Sequence, residues 1–268
     1  MPSKSGRKKK DQETPAPNAP RTPPNWPPLS PLIPTSDLYM NTLVPNQIIT
    51  IPQLWTSTLC KNYVSFLSTL PLTTTPGKPK KGDAVRVNDR FQVDDAAFAE
   101  RLWRETGLRD LVLGVGGGAD GNENGEDART GEEERKKLWG GEVVGLNPNI
   151  RVYRYRKGQF FDQHYDDANT LTLPTTSTTT LTVPATTTWT LLLYLTSPAT
   201  GCSGGETVFH PECPVSRSRG PAPPPVVVGL QTGMAPLHRH GRDCMLHEGR
   251  EVLEGEKWVL RSDLCVRR

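Results

Sequence analysis

Four side chains with metal- and anion-binding chemistry stand in the second half of the sequence. His164 and Asp166 are two residues apart, His247 follows at a distance, and Lys257 lies ten residues after that histidine. Two imidazoles and one carboxylate are the donor set of a non-haem Fe(II) site, which keeps coordination positions open. A lysine placed beside them supplies a cation for an acid. On a β-strand, residues two apart share a face, so the step from His164 to Asp166 reads as a strand-type chelate with Tyr165 turned the other way. Asp167 is the competing carboxylate, and strand alternation points it away from His164. His238 and His240 form a second pair at the same spacing. No carboxylate at a strand step accompanies them, and a structural or pocket-lining role is expected for both. His210 reads as a surface residue at a strand end.

Those side chains need a sheet to hold them, and the sequence supplies short, regularly punctuated apolar segments. Strands are expected over 150–156, 159–166, 189–195, 206–210, 226–230, 234–240 and 257–266, with glycines at the turns between them. Pro236 is awkward within its segment, because proline donates nothing to a ladder and belongs at an edge or bulge. Many short strands without alternating helices argue for a mainly β protein, a double-stranded β-helix or jelly roll, rather than βαβ units. Upstream, Gln47 to Ile51 reads as a strand and Pro52 as the first position of a helix. Trp55, Leu59, Tyr63, Phe66 and Leu70 then form one helical stripe. A strand or extended segment is expected over 85–91, and Asp94 is expected to cap a second helix whose Phe98, Leu102 and Trp103 face inward.

The order of these segments resembles the prolyl 4-hydroxylase-like branch of the Fe(II)- and 2-oxoglutarate-dependent dioxygenases. The resemblance is carried by Arg151 to Asp166, Thr190 to Leu195, Gly204-Gly205-Glu206-Thr207-Val208-Phe209, Gly233 to His240, and Leu246 to Trp258. It implies that His164, Asp166 and His247 are the iron ligands and that Lys257 pairs with the distal carboxylate of 2-oxoglutarate. Tyr155 and Thr207 fall where further co-substrate contacts are expected, and ascorbate is the implied reductant. The implied reaction is hydroxylation of an unactivated carbon, with release of succinate and carbon dioxide. A peptidyl proline is the substrate class the resemblance suggests; a free amino acid, a small metabolite or another peptide residue stays open. Arg261, four residues after Lys257 and on its face, reads as a second anion partner, a substrate contact or a plain salt bridge. The alternative to an enzyme is a non-catalytic jelly-roll binding or scaffold module that keeps the metal site.

With 268 residues, 34% hydrophobic content and 26 prolines, the chain holds one domain and flexible parts. A net charge of +3 with dispersed basic residues does not describe a nucleic-acid surface. Five cysteines without a C-x-x-C spacing fit an intracellular protein, cytoplasmic or nuclear, better than a disulfide framework. No apolar stretch suits a membrane span or a signal peptide. Residues 1–45 read as a disordered, basic and proline-rich arm, and residues 46–268 as the dioxygenase domain. Lys4, Arg7, Lys8, Lys9 and Lys10 are either a nuclear-import signal or a solvated tail. The prolines that follow form a linker or a ligand for an aromatic-groove partner, with Trp26 as an anchor onto the domain. Three low-complexity insertions are expected to be disordered, 116–137, 170–188 and 214–225. The Asp120 and Asn122 spacing lacks the rest of a calcium loop.

Overall fold

The computed structural model describes residues 22–75, 82, 84–115, 125–174, 182–211 and 223–268. The basic cluster near the start and most of the 214–225 segment lie outside them. The fold is a mainly β jelly roll built on two main antiparallel sheets, with a two-stranded pair, Ser203–Gly204 and Val252–Glu254, beside them. The larger runs in the order Asn41–Val44, Ile48–Ile51, Ala235–Arg239, Thr182–Tyr194, Glu256–Arg267, Asn149–Arg156, Asp89–Asp94 and Thr73–Thr74. Val143–Leu146 also pairs with Glu256–Arg267, and Thr170–Pro174 with Thr182–Tyr194. The smaller sheet runs Val226–Val228, Thr207–His210, Leu246–Gly249 and Phe161–His164.

Strand alternation divides the core in two. In the long central strands, Leu191, Leu193, Trp258 and Leu260 face one side and pack with the helices. Tyr194 and Val259, each next in sequence to one of these, face the other side and pack with Phe209 and Val228 of the smaller sheet. The same alternation splits the Asn149–Arg156 strand, sending Ile150 and Val152 to the helical layer and Tyr153 and Tyr155 to the space between the sheets. The candidate site lies in that second space. No helix of the described residues is long and apolar enough to cross a membrane.

The helical layer differs in detail from the sequence expectation. Pro52 lies in a turn, and the first helix is Ser57–Leu67, capped by the Thr56 hydroxyl, which accepts from the Leu59 amide. The second helix, Ala96–Glu105, is capped by Asp95 rather than Asp94; Asp94 instead ends the preceding strand. Asp95 does double duty, because its second oxygen accepts from the Trp26 indole at 2.7 Å. Trp26 stacks on Phe98 with ring centroids 4.1 Å apart, so the arm read as disordered through residue 45 is anchored to the domain from at least this point. Replacing Trp26 by Ala should therefore cost about 3–5 kcal/mol, as for other buried Trp truncations. Urea unfolding checks this, and an unchanged midpoint would show that the arm is dispensable.

Two of the expected insertions carry regular structure. Gly125–Trp139 is a helix, where the acidic 116–137 segment was read as disordered. Lys136 pairs with Glu132 one turn back, and Trp139 is buried with its indole donating to the Val112 carbonyl. A single aromatic anchor at the end of a polar stretch leaves little periodic trace. Within the threonine-rich 170–188 segment, Thr170–Pro174 pairs antiparallel with the start of Thr182–Tyr194, because β-branched threonine suits a pleated surface even in a low-complexity run. Pro236 sits opposite Thr50, one residue before pairing with the Thr182–Tyr194 strand begins at Leu237. Its missing donor thus falls at the margin of that ladder.

Candidate functional site

The site begins with a register. In the smaller sheet His247 lies directly opposite His164, with Phe209 opposite His247 on the other side. Cross-strand neighbours have adjacent side chains, and the two imidazole centroids are 4.2 Å apart. Each ring is held in one tautomer by a main-chain carbonyl two residues earlier. His164 Nδ1 donates to the Asp162 carbonyl at 2.8 Å and His247 Nδ1 to the Met245 carbonyl at 2.9 Å. A carbonyl only accepts, so both Nδ1 atoms carry the proton and both Nε2 lone pairs are left for another partner. The His164 ring is further fixed by stacking on Phe161 at 3.5 Å.

Asp166 does not reach the site from within a strand, as the sequence spacing suggested. The strand ends at His164, and Asp166 is fixed two residues on by its own backbone. Its amide donates to Cys244 Sγ at 3.2 Å, and its carbonyl accepts from the Gly241 amide at 2.8 Å. The carboxylate nevertheless meets the imidazoles: ligand atoms of His164, Asp166 and His247 all lie within 4.8 Å of one another. Asp167 is exposed and stands outside this group.

Arg261 grips the same carboxylate with both terminal nitrogens, Nη2 to Oδ2 at 3.0 Å and Nη1 to Oδ1 at 3.2 Å. Thr190 also donates to Oδ2, at 2.9 Å. With its hydrogen committed there, Thr190 Oγ accepts from His240 Nδ1 at 2.9 Å, and His240 Nε2 accepts from Thr187 at 2.8 Å. His240 is thus a support for Thr190. Burial opposes charge on Asp166, but Arg261 and the surrounding imidazoles outweigh it and hold the carboxyl well below the ordinary range. Burial, reinforced by His247, pushes His164 down to about 3, and burial lowers His247 as well. At neutral pH the group is one carboxylate and two neutral imidazoles with inward lone pairs, a set that fits a divalent iron ion.

Lys257 faces the same cavity from the Glu256–Arg267 strand, opposite Tyr155. Lys257, Val259 and Arg261, at strand spacing, all line the cavity, whereas Trp258 and Leu260 enter the helical core. The Lys257 ammonium is buried, donates to the Gly205 carbonyl at 2.7 Å, and lies 5.5 and 5.3 Å from the ring centres of Tyr155 and Tyr194. Among the described residues it has no salt-bridge partner. Burial pushes it down to about 8. Gly205 has φ +75°, and a Cβ there would come within 3.2 Å of the lysine stem, so glycine keeps that channel clear. Thr207 shares a 2.6 Å hydrogen bond with the Tyr194 hydroxyl at the same end.

All six residues singled out in the sequence, Tyr155, His164, Asp166, Thr207, His247 and Lys257, line this one cavity, together with His238 and Arg261. His238 fulfils its pocket-lining expectation. Its closeness to the carboxylate and the Arg261 clamp were not legible. For Arg261 the available signal was its even offset from Lys257, but which anion it meets depends on where the chain places Asp166 after the strand ends. His210 is half-buried and pairs with Glu248 at 3.3 Å.

No protein-family model matches the chain, and no curated protein matches its sequence. Among solved structures, the chain is similar to a viral collagen prolyl hydroxylase from Paramecium Bursaria Chlorella virus-1 in its 2-oxoglutarate complex. Identity is 14% and the TM-score 0.43, covering 82% of this chain and 96% of that one. It is similar to a Pseudomonas putida prolyl-4-hydroxylase at 14% identity and TM-score 0.46, over 83% and 93% of the two chains. A Trichoplax adhaerens prolyl hydroxylase, in complex with a hypoxia-inducible-factor oxygen-degradation-domain peptide, matches at 13% identity and TM-score 0.46 over 82% and 83%. Likenesses at this level carry no argument about activity, which rests on the side chains of the cavity.

Proposed function

We propose that the chain is an Fe(II)- and 2-oxoglutarate-dependent dioxygenase in which His164, Asp166 and His247 hold the iron. Lys257 pairs with the far carboxylate of 2-oxoglutarate, and Tyr155 and Thr207 shape that end of the cavity. The observation that carries this reading is Lys257: a buried ammonium without a carboxylate partner among the described residues, in the same cavity as two neutral imidazoles and a carboxylate. A buried unpaired cation is costly, and an acid that reaches it from the metal side removes that cost. Iron and 2-oxoglutarate, when bound, would with dioxygen supply the oxidative decarboxylation, in which one oxygen atom enters succinate as carbon dioxide leaves and the other becomes a hydroxyl on an unactivated carbon. The chain's own part is to orient. Carbonyls of Asp162 and Met245 hold the imidazoles, Arg261 and Thr190 hold the carboxylate, and Tyr155 and Tyr194 shield Lys257 from water.

For the substrate we propose a peptidyl proline, with ascorbate as the reductant that keeps the iron ferrous. Support comes from the sequence resemblance, carried by Arg151 to Asp166 and Leu246 to Trp258. A succinate-release screen with iron and 2-oxoglutarate against peptide and metabolite pools tests this. Gain of one oxygen on a proline-containing peptide is the expected result, and turnover confined to metabolites would replace the substrate class.

The lysine also sets a pH dependence. Lys257 is charged below about pH 8, so there it meets the acid as a cation. Above that value binding must take up a proton, and 2-oxoglutarate affinity should fall by up to about tenfold per pH unit. Lys257→Arg should remove this dependence, because a guanidinium stays charged throughout. Anaerobic titrations between about pH 7 and about pH 9 check both statements.

A further inference from the structure

Three imidazoles, not two, surround Asp166. His164 Nε2 lies 3.8 Å from Oδ1, and His247 Nε2 and His238 Nε2 each lie 3.8 Å from Oδ2. The His238 and His247 ring centroids are 4.5 Å apart. His238 is 2% exposed, on the Ala235–Arg239 strand between Ile48 and Thr190 of its two neighbours, with the Phe209 ring edge-on at 5.2 Å. Strand pairing on both sides and the Phe209 ring thus place it beside the other two.

One feature separates it from them. His164 and His247 each donate Nδ1–H to a carbonyl, whereas His238 Nδ1 is buried with no hydrogen-bond partner among the described residues. A proton on that nitrogen would be an orphaned buried donor, the rarer and costlier kind of unpaired group. A proton on Nε2 instead faces the Asp166 carboxylate. At 3.8 Å that contact is too long for a hydrogen bond, so the donor remains unspent and directed into the cavity. A ring protonated on Nε2 has no lone pair there to offer a metal.

We propose that His238 is a positioning residue whose Nε2–H donates to an anionic oxygen of whatever ligand the metal recruits, a carboxylate oxygen of 2-oxoglutarate in the proposed reaction. This rests on the reading of the site as an iron centre. His238 does not hold the metal; it fixes the exogenous ligand beside Asp166 and selects for ligands with an acceptor at that place.

The test compares wild type with His238→Phe, which keeps a ring beside Phe209, and His238→Gln, which keeps a donor of similar reach. Fe(II) affinity should stay within about threefold in both variants. Anaerobic 2-oxoglutarate affinity should fall about tenfold in His238→Phe, the scale of one hydrogen bond to a charged acceptor. His238→Gln should recover most of it, and the charge-transfer band of the iron–2-oxoglutarate complex should shift in the Phe variant alone. Loss of iron from His238→Phe as severe as from His247→Ala would make His238 a ligand and overturn the proposal. So would wild-type 2-oxoglutarate affinity and band position in the Phe variant. Azide added to the cobalt(II)-loaded proteins separates this inference from the co-substrate reading. If wild type formed no 2-oxoglutarate complex, the proposed function would fall; the azide affinities would still decide His238, with about a tenfold drop in the Phe variant supporting it and equal affinities refuting it.

Discussion

Lys257→Ala should weaken 2-oxoglutarate by about a hundredfold or more while leaving Fe(II) affinity close to wild type. Removing one partner of a buried charge pair typically costs about 3–5 kcal/mol, which corresponds to on the order of a hundredfold to a thousandfold in affinity. Arg261, the arginine lining the same cavity, does not compensate directly, because it is already committed to Asp166 and Asp263. Lys257→Arg should recover part of the loss, since the charge is kept but the reach changes against Gly205 and Tyr155. The fold should survive, because the Lys257 ammonium contributes only one hydrogen bond to Gly205. A generic metal-binding jelly roll needs no such cation and would show equal affinities in the two proteins. That result would remove Lys257 from the site.

Replacing His164, Asp166 or His247 by Ala should lower iron affinity by more than about a hundredfold and abolish iron-dependent turnover. Loss of a partner one shell further out already costs about 10–100-fold at metal sites, and these residues are proposed to touch the ion itself. Asp166→Ala carries an additional expectation. Arg261 would lose its bidentate partner and keep Asp263 at 3.4 Å and the Thr190 hydroxyl at 3.3 Å, so this variant should also be the least stable of the three. The histidine variants should unfold near the wild-type urea midpoint, because the apolar layers around Trp258, Leu260 and Leu191 are untouched. Iron binding retained by His247→Ala, but lost by His240→Ala, would move the metal to a different set of donors.

How much of this could be read from the residues depends on the distance over which each feature is determined. The shared face of Lys257 and Arg261 follows from strand periodicity, which is local and survives low sequence similarity; the register that sets His164 opposite His247 joins distant strands, and only the resemblance pointed to it. Asn149–Arg156 mixes apolar and basic residues along a half-buried strand, and Glu256–Arg267 carries two apolar runs buried on both faces; both patterns are local and were visible for that reason. Asp166 lines the cavity, but not from the strand position that its spacing from His164 suggested. Its place is set by Cys244 and Gly241, far away in sequence, after the strand has stopped. Composition misled at 125–139 and 170–174, where acidic and threonine-rich runs concealed a helix closed by Trp139 and a strand paired with Thr182–Tyr194. The arm around Trp26 was legible only as a possible anchor, since its partner Asp95 had been passed over for Asp94 as the helix cap.

The measurement that bears most directly on the central claim is anaerobic addition of 2-oxoglutarate to the Fe(II)-loaded wild-type protein, followed by visible absorption and then by exposure to air. A dioxygenase site should develop a metal-to-ligand charge-transfer band that requires both iron and 2-oxoglutarate and is missing in His247→Ala. After air is admitted it should release succinate slowly without added substrate. A protein that binds iron with wild-type ligands yet forms no band and releases no succinate would be a metal-holding scaffold, and the proposed activity would be wrong.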